Sequence, residues 1–164
     1  MHEATLVVPA EGRTRHAHMA AIIQAAEALV PRGSDTIAAM ANLASLLFYS
    51  LPDLNWCGFY RAIGKRLVVG PFQGKPACQE IPFGSGVCGR AAAERKTIIV
   101  EDVTAFPGHI ACDPESRSEI VVPVIYNDAV VAVLDLDSPR PGRFDRYDAD
   151  LIEQIAHLLV ERTM

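Results

Sequence analysis

Three of the four cysteines in the sequence lie in polar or glycine-rich segments, where a thiol is placed for chemistry more than for packing. Cys112 follows a glycine and a histidine in a polar loop that runs directly into an apolar strand. Cys78 and Cys88 lie in a segment rich in glycine and proline, between residues 70 and 89. A thiolate is the reactive form of cysteine, and a second thiol can discharge an oxidised one as a disulfide. The pattern predicts redox or nucleophilic chemistry, with Cys112 as the first candidate.

Three carboxylates follow in two strands that the sequence predicts to be paired. Asp135 and Asp137 alternate along one strand and therefore share a face, and Glu119 begins the neighbouring strand of the same hairpin. If the three side chains converge, their like charges raise the pKa of at least one of them. Such a group could donate a proton or hold a cation such as an α-ammonium group. The alternative is that the two aspartates only cap the end of a strand and that Cys112 is an idle loop thiol.

A short aromatic strand supplies the remaining candidates. Strand alternation places Trp56 and Tyr60 on one face and Cys57 and Phe59 on the other. From the residues alone, core packing of Trp56 and Tyr60 is favoured over a place in the wall of a site. Cys57 is expected to be a small buried hydrophobe within the strand.

The elements that must position these groups follow from apolar periodicity and from the spacing of proline and glycine. Cys88 lies near the start of a short predicted helix, where the positive end of the helix dipole favours a thiolate. The order of elements predicts an α+β domain, with an antiparallel β-sheet flanked by helices. The predicted elements are helices at about 14–30 and 36–51, a hairpin at 55–71, a short helix at 87–94, a strand at 97–101, a long loop at 102–116, a hairpin at 119–135 and a helix from 145 to the end.

Length and composition limit the classes of function. A chain of 164 residues, half of them hydrophobic, is enough for one domain, which we expect at residues 14–164 after a flexible leader at residues 1–13. The net charge of -5 and the scattered basic residues argue against nucleic-acid binding. The sequence has neither a recognisable signal peptide nor an apolar run that could span a membrane, so we expect a cytoplasmic protein. The spacings typical of zinc sites are absent, and we expect no bound metal.

Taken together, these segments resemble the free methionine-(R)-sulfoxide reductases, a family of enzymes built on a single GAF domain. The resemblance extends over residues 36 to 160 and includes the segments around the three cysteines, the carboxylates and the aromatic strand. Its most specific mark is the cysteine spacing, which is ten residues from Cys78 to Cys88 and twenty-four from Cys88 to Cys112.

The resemblance implies a GAF fold and an enzyme that reduces free L-methionine (R)-S-oxide without a metal or an organic cofactor. It implies that Cys112 is the nucleophile and that Cys78 and Cys88 recycle it. Free methionine sulfoxide is then the substrate, a thioredoxin-like dithiol the expected reductant and a homodimer the expected assembly. The residues that the resemblance assigns to the substrate are Trp56, Tyr60, Asp102, Glu119, Asp135 and Asp137, of which Glu119 and Asp137 are also assigned to catalysis.

Two other functions are compatible with these residues. One is a GAF-type small-molecule sensor, in which the carboxylates and aromatic rings bind a ligand without turnover. The other is a zinc-binding regulatory domain whose ligands are Cys78, Cys88, Cys112 and His109. Metal analysis would separate the second function from the others.

The matched cysteines leave two possible disulfide partners for Cys112. Cys78 lies in a stretch that can plausibly move, whereas Cys88 is held at the start of a helix, so we expect a Cys78–Cys112 disulfide with Cys88 as a slower backup. A thiol pKa lowered by the helix N-terminus would instead favour Cys88.

Overall fold

A six-stranded antiparallel sheet forms the middle of the structure, which is a computed structural model that describes residues 7–164. The strands are β1 (Trp56–Ile63), β2 (Arg66–Gly74), β3 (Glu80–Pro82), β4 (Ile98–Val100), β5 (Ser118–Tyr126) and β6 (Ala129–Ser138). The helices are α1 (Arg15–Leu29), α2 (Thr36–Ser50), α3 (Gly86–Glu94) and α4 (Arg146–Thr163), with a 3₁₀ turn at Val103–Ala105. The strand order is β3-β2-β1-β6-β5-β4. The predicted α+β class with a flanked antiparallel sheet is confirmed.

Side-chain caps fix where three of the helices begin. The side chains of Thr14 and Asp35 accept hydrogen bonds from backbone N–H groups in the first turns of α1 and α2. Asp145 does the same for α4 and forms a reciprocal capping box with Asp148. The predicted starts of α2 and α4 are therefore confirmed. Among residues 7–164, no helix is both long enough and apolar enough to cross a membrane.

The sheet separates two apolar cores. One face packs against α2 and α4, on which α1 lies in turn, and this core includes Cys57 and Phe59. The opposite face packs against α3 and includes Trp56 and Tyr60. The predicted alternation along β1 is confirmed, as is the burial of Cys57. Because β5 and β6 have helices on both faces, their near-continuous apolar sequence is explained.

Two local features differ from the sequence expectations. β3 was not predicted, because three residues ending in a proline give too short a pattern; the segment pairs with β2 as an edge strand. The predicted leader is also wrong in part, since Val8 is buried and its N–H donates to the hydroxyl of Ser50 at 3.0 Å. Val8 thus packs on the domain, whereas residues 7 and 9–13 are exposed. Residues 1–6 of the predicted leader lie outside the described residues.

Helix α3 lies close to the preceding backbone because of one glycine. The carbonyl of Gly89 accepts a hydrogen bond from the N–H of Gly84 at 2.7 Å, and a Cβ at position 89 would overlap the carbonyl oxygen of Pro82. A backbone atom cannot turn aside as the end of a side chain can. Gly89 therefore permits the close approach that sets Cys88, its neighbour in α3, over the sheet.

We expect Gly89→Ala to lower the free energy of unfolding by about 1 kcal/mol or more, although alanine is the better helix former by a similar amount. The physical reason is the overlap with Pro82, which forces α3 outward. Urea unfolding followed by circular dichroism measures the change.

Ala93→Gly is the matched control, because Ala93 is an exposed residue of the same helix. Its expected loss is about 1 kcal/mol or less, from intrinsic helix preference alone. A Gly89→Ala protein more stable than the wild type would contradict the proposed close approach.

Candidate active site

The pairing of three central strands brings the carboxylates and one aromatic ring side by side. In the register, Trp56 of β1 lies opposite Asp137 of β6, and Asp137 lies opposite Glu119 of β5. Asp135 lies two residues before Asp137 and therefore on the same face. The convergence of the three carboxylates that the sequence predicts is confirmed.

A cavity of about 40 Å³ lies over this face of the sheet. Its floor is the sheet, one wall is the start of α3, and its cover is the long loop between the 3₁₀ turn and β5. The residues that line it are Trp56, Tyr60, Pro76, Ala77, Ile81, Ser85, Gly86, Val87, Cys88, His109, Ile110, Cys112, Asp113, Ser116, Glu119, Asp135 and Asp137.

The pKa values of all three carboxyl groups of the cavity are raised. Burial, followed by the negative charges of Asp135 and Asp137, raises the pKa of Glu119 well above its ordinary value. Burial also raises the pKa of Asp135 to about 7, although polar contacts with Glu119 and Cys88 offset part of the rise. The pKa of Asp137 is raised by burial and by the charge of Asp135. A carboxyl group with a raised pKa is easier to protonate near neutral pH, which is the property that a general acid requires.

Cys88 does not have the thiolate character predicted for it. Its thiol is buried and lies 3.7 Å from Oε1 of Glu119, to which it donates. Burial, with the charges of Asp135 and Glu119, raises the pKa of the Cys88 thiol well above its ordinary value. The desolvation and the acidic neighbours outweigh the dipole of the short helix α3. The prediction of a lowered pKa at this position is wrong.

Cys78 and Cys112 form a disulfide, with their Cα atoms 5.5 Å apart. This is the pairing predicted from the two alternatives. The bond ties the covering loop to the segment between β2 and β3, so that Cys78 lies at the edge of the cavity that Cys112 lines. Of the four ligands considered for a zinc domain, these two sulfurs are bonded to each other and cannot act as thiolate ligands in this state.

The two aromatic rings belong both to the core and to the wall of the cavity. Trp56 and Tyr60 are buried in the core and also line the cavity, with ring centroids 5.7 Å apart in a stacked arrangement. The indole N–H of Trp56 donates to the carbonyl of Lys75 at 3.2 Å, and the hydroxyl of Tyr60 donates to the carbonyl of Cys78 at 3.1 Å. Both rings therefore fasten the segment that carries Cys78.

Asp102 is not brought to the cavity. Its carboxylate caps the 3₁₀ turn by accepting from the N–H and hydroxyl of Thr104, and it pairs with Arg117 at 3.4 Å. These contacts lower the pKa of Asp102, with the hydroxyl of Thr104 as the largest cause. Asp102 is not among the residues that line the cavity, because its carboxylate is satisfied by the local turn, and its assignment to the substrate stays a prediction.

Several polar residues of the site were not assigned to the substrate from the sequence. His109 lies with Nε2 at 3.8 Å from Oε2 of Glu119, and burial lowers the pKa of its ring. Asn55 donates from Nδ2 to Asp113 at 3.1 Å and to the hydroxyl of Ser116 at 2.9 Å, which ties the covering loop to the start of β1. A polar residue directly before an aromatic strand was the only sequence signal for Asn55.

Comparison with known proteins places this architecture in a family. The family model for the GAF domain matches residues 15–161. Protein YtsP of Bacillus subtilis is 51% identical over 140 residues, which are 84% of this chain and 86% of the relative. The free methionine-R-sulfoxide reductase of Escherichia coli is 46% identical over 128 residues, which are 78% of each chain.

A solved structure agrees with the sequence relatives. The free methionine-R-sulfoxide reductase of Neisseria meningitidis, in complex with its substrate, superimposes with a TM-score of 0.88 at 40% identity, over 93% of this chain and 92% of that one. The GAF fold implied by the sequence resemblance is thus confirmed. The chain belongs to the GAF domain family and lies close, in sequence and in structure, to the free methionine-R-sulfoxide reductases.

Proposed function

We propose that this protein reduces free L-methionine (R)-S-oxide to L-methionine, with Cys112 as the nucleophile. The observation that carries the proposal is the Cys78–Cys112 disulfide at the edge of a buried cavity with three carboxyl groups and two aromatic rings. The similarity to reductases of this substrate supports the same assignment for this chain.

The reaction needs a nucleophile, an acid and a resolving thiol, and the cavity and its edge carry a candidate for each. The Cys112 thiolate attacks the sulfoxide sulfur, and a carboxylic acid protonates the oxygen. The oxygen then passes to Cys112 as a sulfenic acid, and methionine leaves with its sulfur reduced by two electrons. Cys78 attacks the sulfenic sulfur, water departs and the disulfide forms. An external dithiol, for which we propose thioredoxin or a similar protein, returns the two electrons.

The raised pKa values support an acid role for the carboxyl groups. Glu119 and Asp137, on paired strands, are the proposed proton donors to the oxide. Asp135 is proposed to bind the substrate beside them. A carboxyl group of this cluster that loses its proton can hold the α-ammonium group of the substrate. Trp56 and Tyr60 offer their faces to the methylthio end of the ligand.

The first test compares free and N-acetylated methionine sulfoxide as substrates. Acetylation removes the cation and adds bulk, and the loss of a buried charged hydrogen bond costs about 2 kcal/mol or more. We therefore expect kcat/KM to fall by about 30-fold or more for the acetylated substrate. Methionine release is followed by chromatography, with dithiothreitol as the reductant. Equal turnover of the two substrates contradicts the pocket, and binding without turnover of either points to a sensor.

The second test assigns the nucleophile. Cys112→Ala is expected to abolish methionine formation and to retain the fold, because a partly buried loop sulfur adds little packing energy. Cys57→Ala is the matched control, since Cys57 is a fully buried cysteine on the opposite face of the sheet and should keep the activity. Single-turnover activity in folded Cys112→Ala would transfer the nucleophilic role to another cysteine.

The third test separates the two recycling cysteines. Cys78→Ser is expected to form about one methionine per chain and then to recycle only slowly with thioredoxin, because the Cys112 sulfenic acid is left with Cys88 as a slower partner. Cys88→Ser is expected to continue beyond one turnover, since the buried Cys88 thiol, with its raised pKa, is a poor nucleophile.

Peptide mapping reads the outcome directly. Wild-type protein oxidised by one equivalent of substrate should yield the Cys78–Cys112 cross-link as the main disulfide. A dominant Cys88–Cys112 cross-link, or turnover by Cys78→Ser at the wild-type rate, would reverse the assignment.

A further inference from the structure

Inside the cavity, a second group of atoms could act as metal ligands, and this group does not include either sulfur of the disulfide. The Sγ of Cys88 and one carboxylate oxygen each from Glu119 and Asp135 all lie within 4.8 Å of one another. All three residues are buried, and the distance from Cys88 Sγ to Glu119 Oε1 is 3.7 Å. With ligand bonds of about 2.0 to 2.3 Å, neighbouring ligands of a tetrahedral zinc ion are about 3.5 Å apart. The donors therefore approach the required spacing.

An unpartnered atom in this set points independently to a ligand. Oδ1 of Asp135 is buried and has no hydrogen-bond partner among residues 7–164, although Asp135 is only 5% exposed and lines the cavity. A buried polar oxygen without a partner costs free energy. A cation bound between the two carboxylates would supply the missing contact and would offset their mutual repulsion.

A histidine lies beside this donor set and could supply a fourth ligand if its side chain moved towards the other three. Nε2 of His109 lies 3.8 Å from Oε2 of Glu119, whose other oxygen faces Cys88. One thiolate, one imidazole and two carboxylates form a mixed set of soft and hard ligands. Such a set suits zinc or cobalt and is a poor match for magnesium or calcium, which prefer oxygen alone.

We propose that Cys88, Glu119 and Asp135, with His109, bind one divalent zinc ion in the disulfide form of the protein. This site differs from a zinc site built on Cys78 and Cys112, because those sulfurs are bonded to each other here. The ion would occupy the cavity space next to the carboxyl groups. If the proposed function holds, zinc and methionine sulfoxide exclude each other, and zinc inhibits the reductase reversibly.

The test uses the oxidised full-length protein, so that only Cys57 and Cys88 carry free thiols. Titration with Co²⁺ should produce a near-ultraviolet thiolate-to-cobalt absorption band that saturates at one ion per chain. Added Zn²⁺ should remove the band stoichiometrically, and Mg²⁺ in large excess should leave it in place. This readout does not depend on enzymatic activity, so that its failure and the failure of the proposed function can be told apart.

Three variants identify the donors. Cys88→Ala should lose the cobalt band and bind zinc at least about tenfold more weakly, whereas Cys57→Ala should match the wild type. Asp135→Asn should keep the band but also bind zinc at least about tenfold more weakly, which tests the site even if Cys88→Ala proves unstable. Circular dichroism verifies the fold of each protein. A band that is absent from the wild type, persists in Cys88→Ala or disappears in Cys57→Ala would overturn the proposal.

Discussion

The main physical constraint on this structure is the free energy that it costs to bury three carboxyl groups around one small cavity. Glu119, Asp135 and Asp137 lie on paired strands beneath α3 and the covering loop. Their charged forms are disfavoured twice, by desolvation and by mutual repulsion, and their pKa values rise accordingly. A protein gains no stability from such an arrangement. Its retention is understandable if the groups must deliver a proton or hold a cation at neutral pH.

The free cysteines illustrate how far environment decides what a residue type does. Cys57 and Cys88 are both buried thiols, and burial raises the pKa of each. Cys57 packs among the apolar side chains beneath the helical face of the sheet, where it behaves as a small hydrophobe. Cys88 instead contacts the carboxyl groups and donates to Glu119. The thiol of Cys88 is therefore better suited to donate a hydrogen bond to the acidic groups than to act as a nucleophile.

The sequence predicted those parts of the molecule that periodic patterns determine. Strand alternation correctly separated Trp56 from Cys57, and the two-residue spacing correctly brought Asp135 and Asp137 to one face. Periodic patterns could not predict side-chain contacts for which a neighbour in sequence competes with a residue that is distant in sequence. Asp102 was assigned to the substrate, yet the neighbouring turn satisfies its carboxylate. The pKa of Cys88 was predicted from its helix position alone, without the strand carboxylates that oppose the dipole.

The division between rigid and connecting segments matches what the chemistry requires of each group. The carboxyl groups belong to the central strands β5 and β6, where hydrogen bonds on both sides hold their positions, and electrostatic assistance demands fixed geometry. In the proposed reaction the Cys112 sulfur must first meet a substrate and then meet Cys78, so it needs freedom to approach two partners. Cys112 and Cys78 both lie in connecting segments, and the hydrogen bond from Tyr60 to the Cys78 carbonyl limits how far one of them can stray. The disulfide joins two connecting segments at the edge of the cavity, while the strands hold the carboxyl groups in fixed positions.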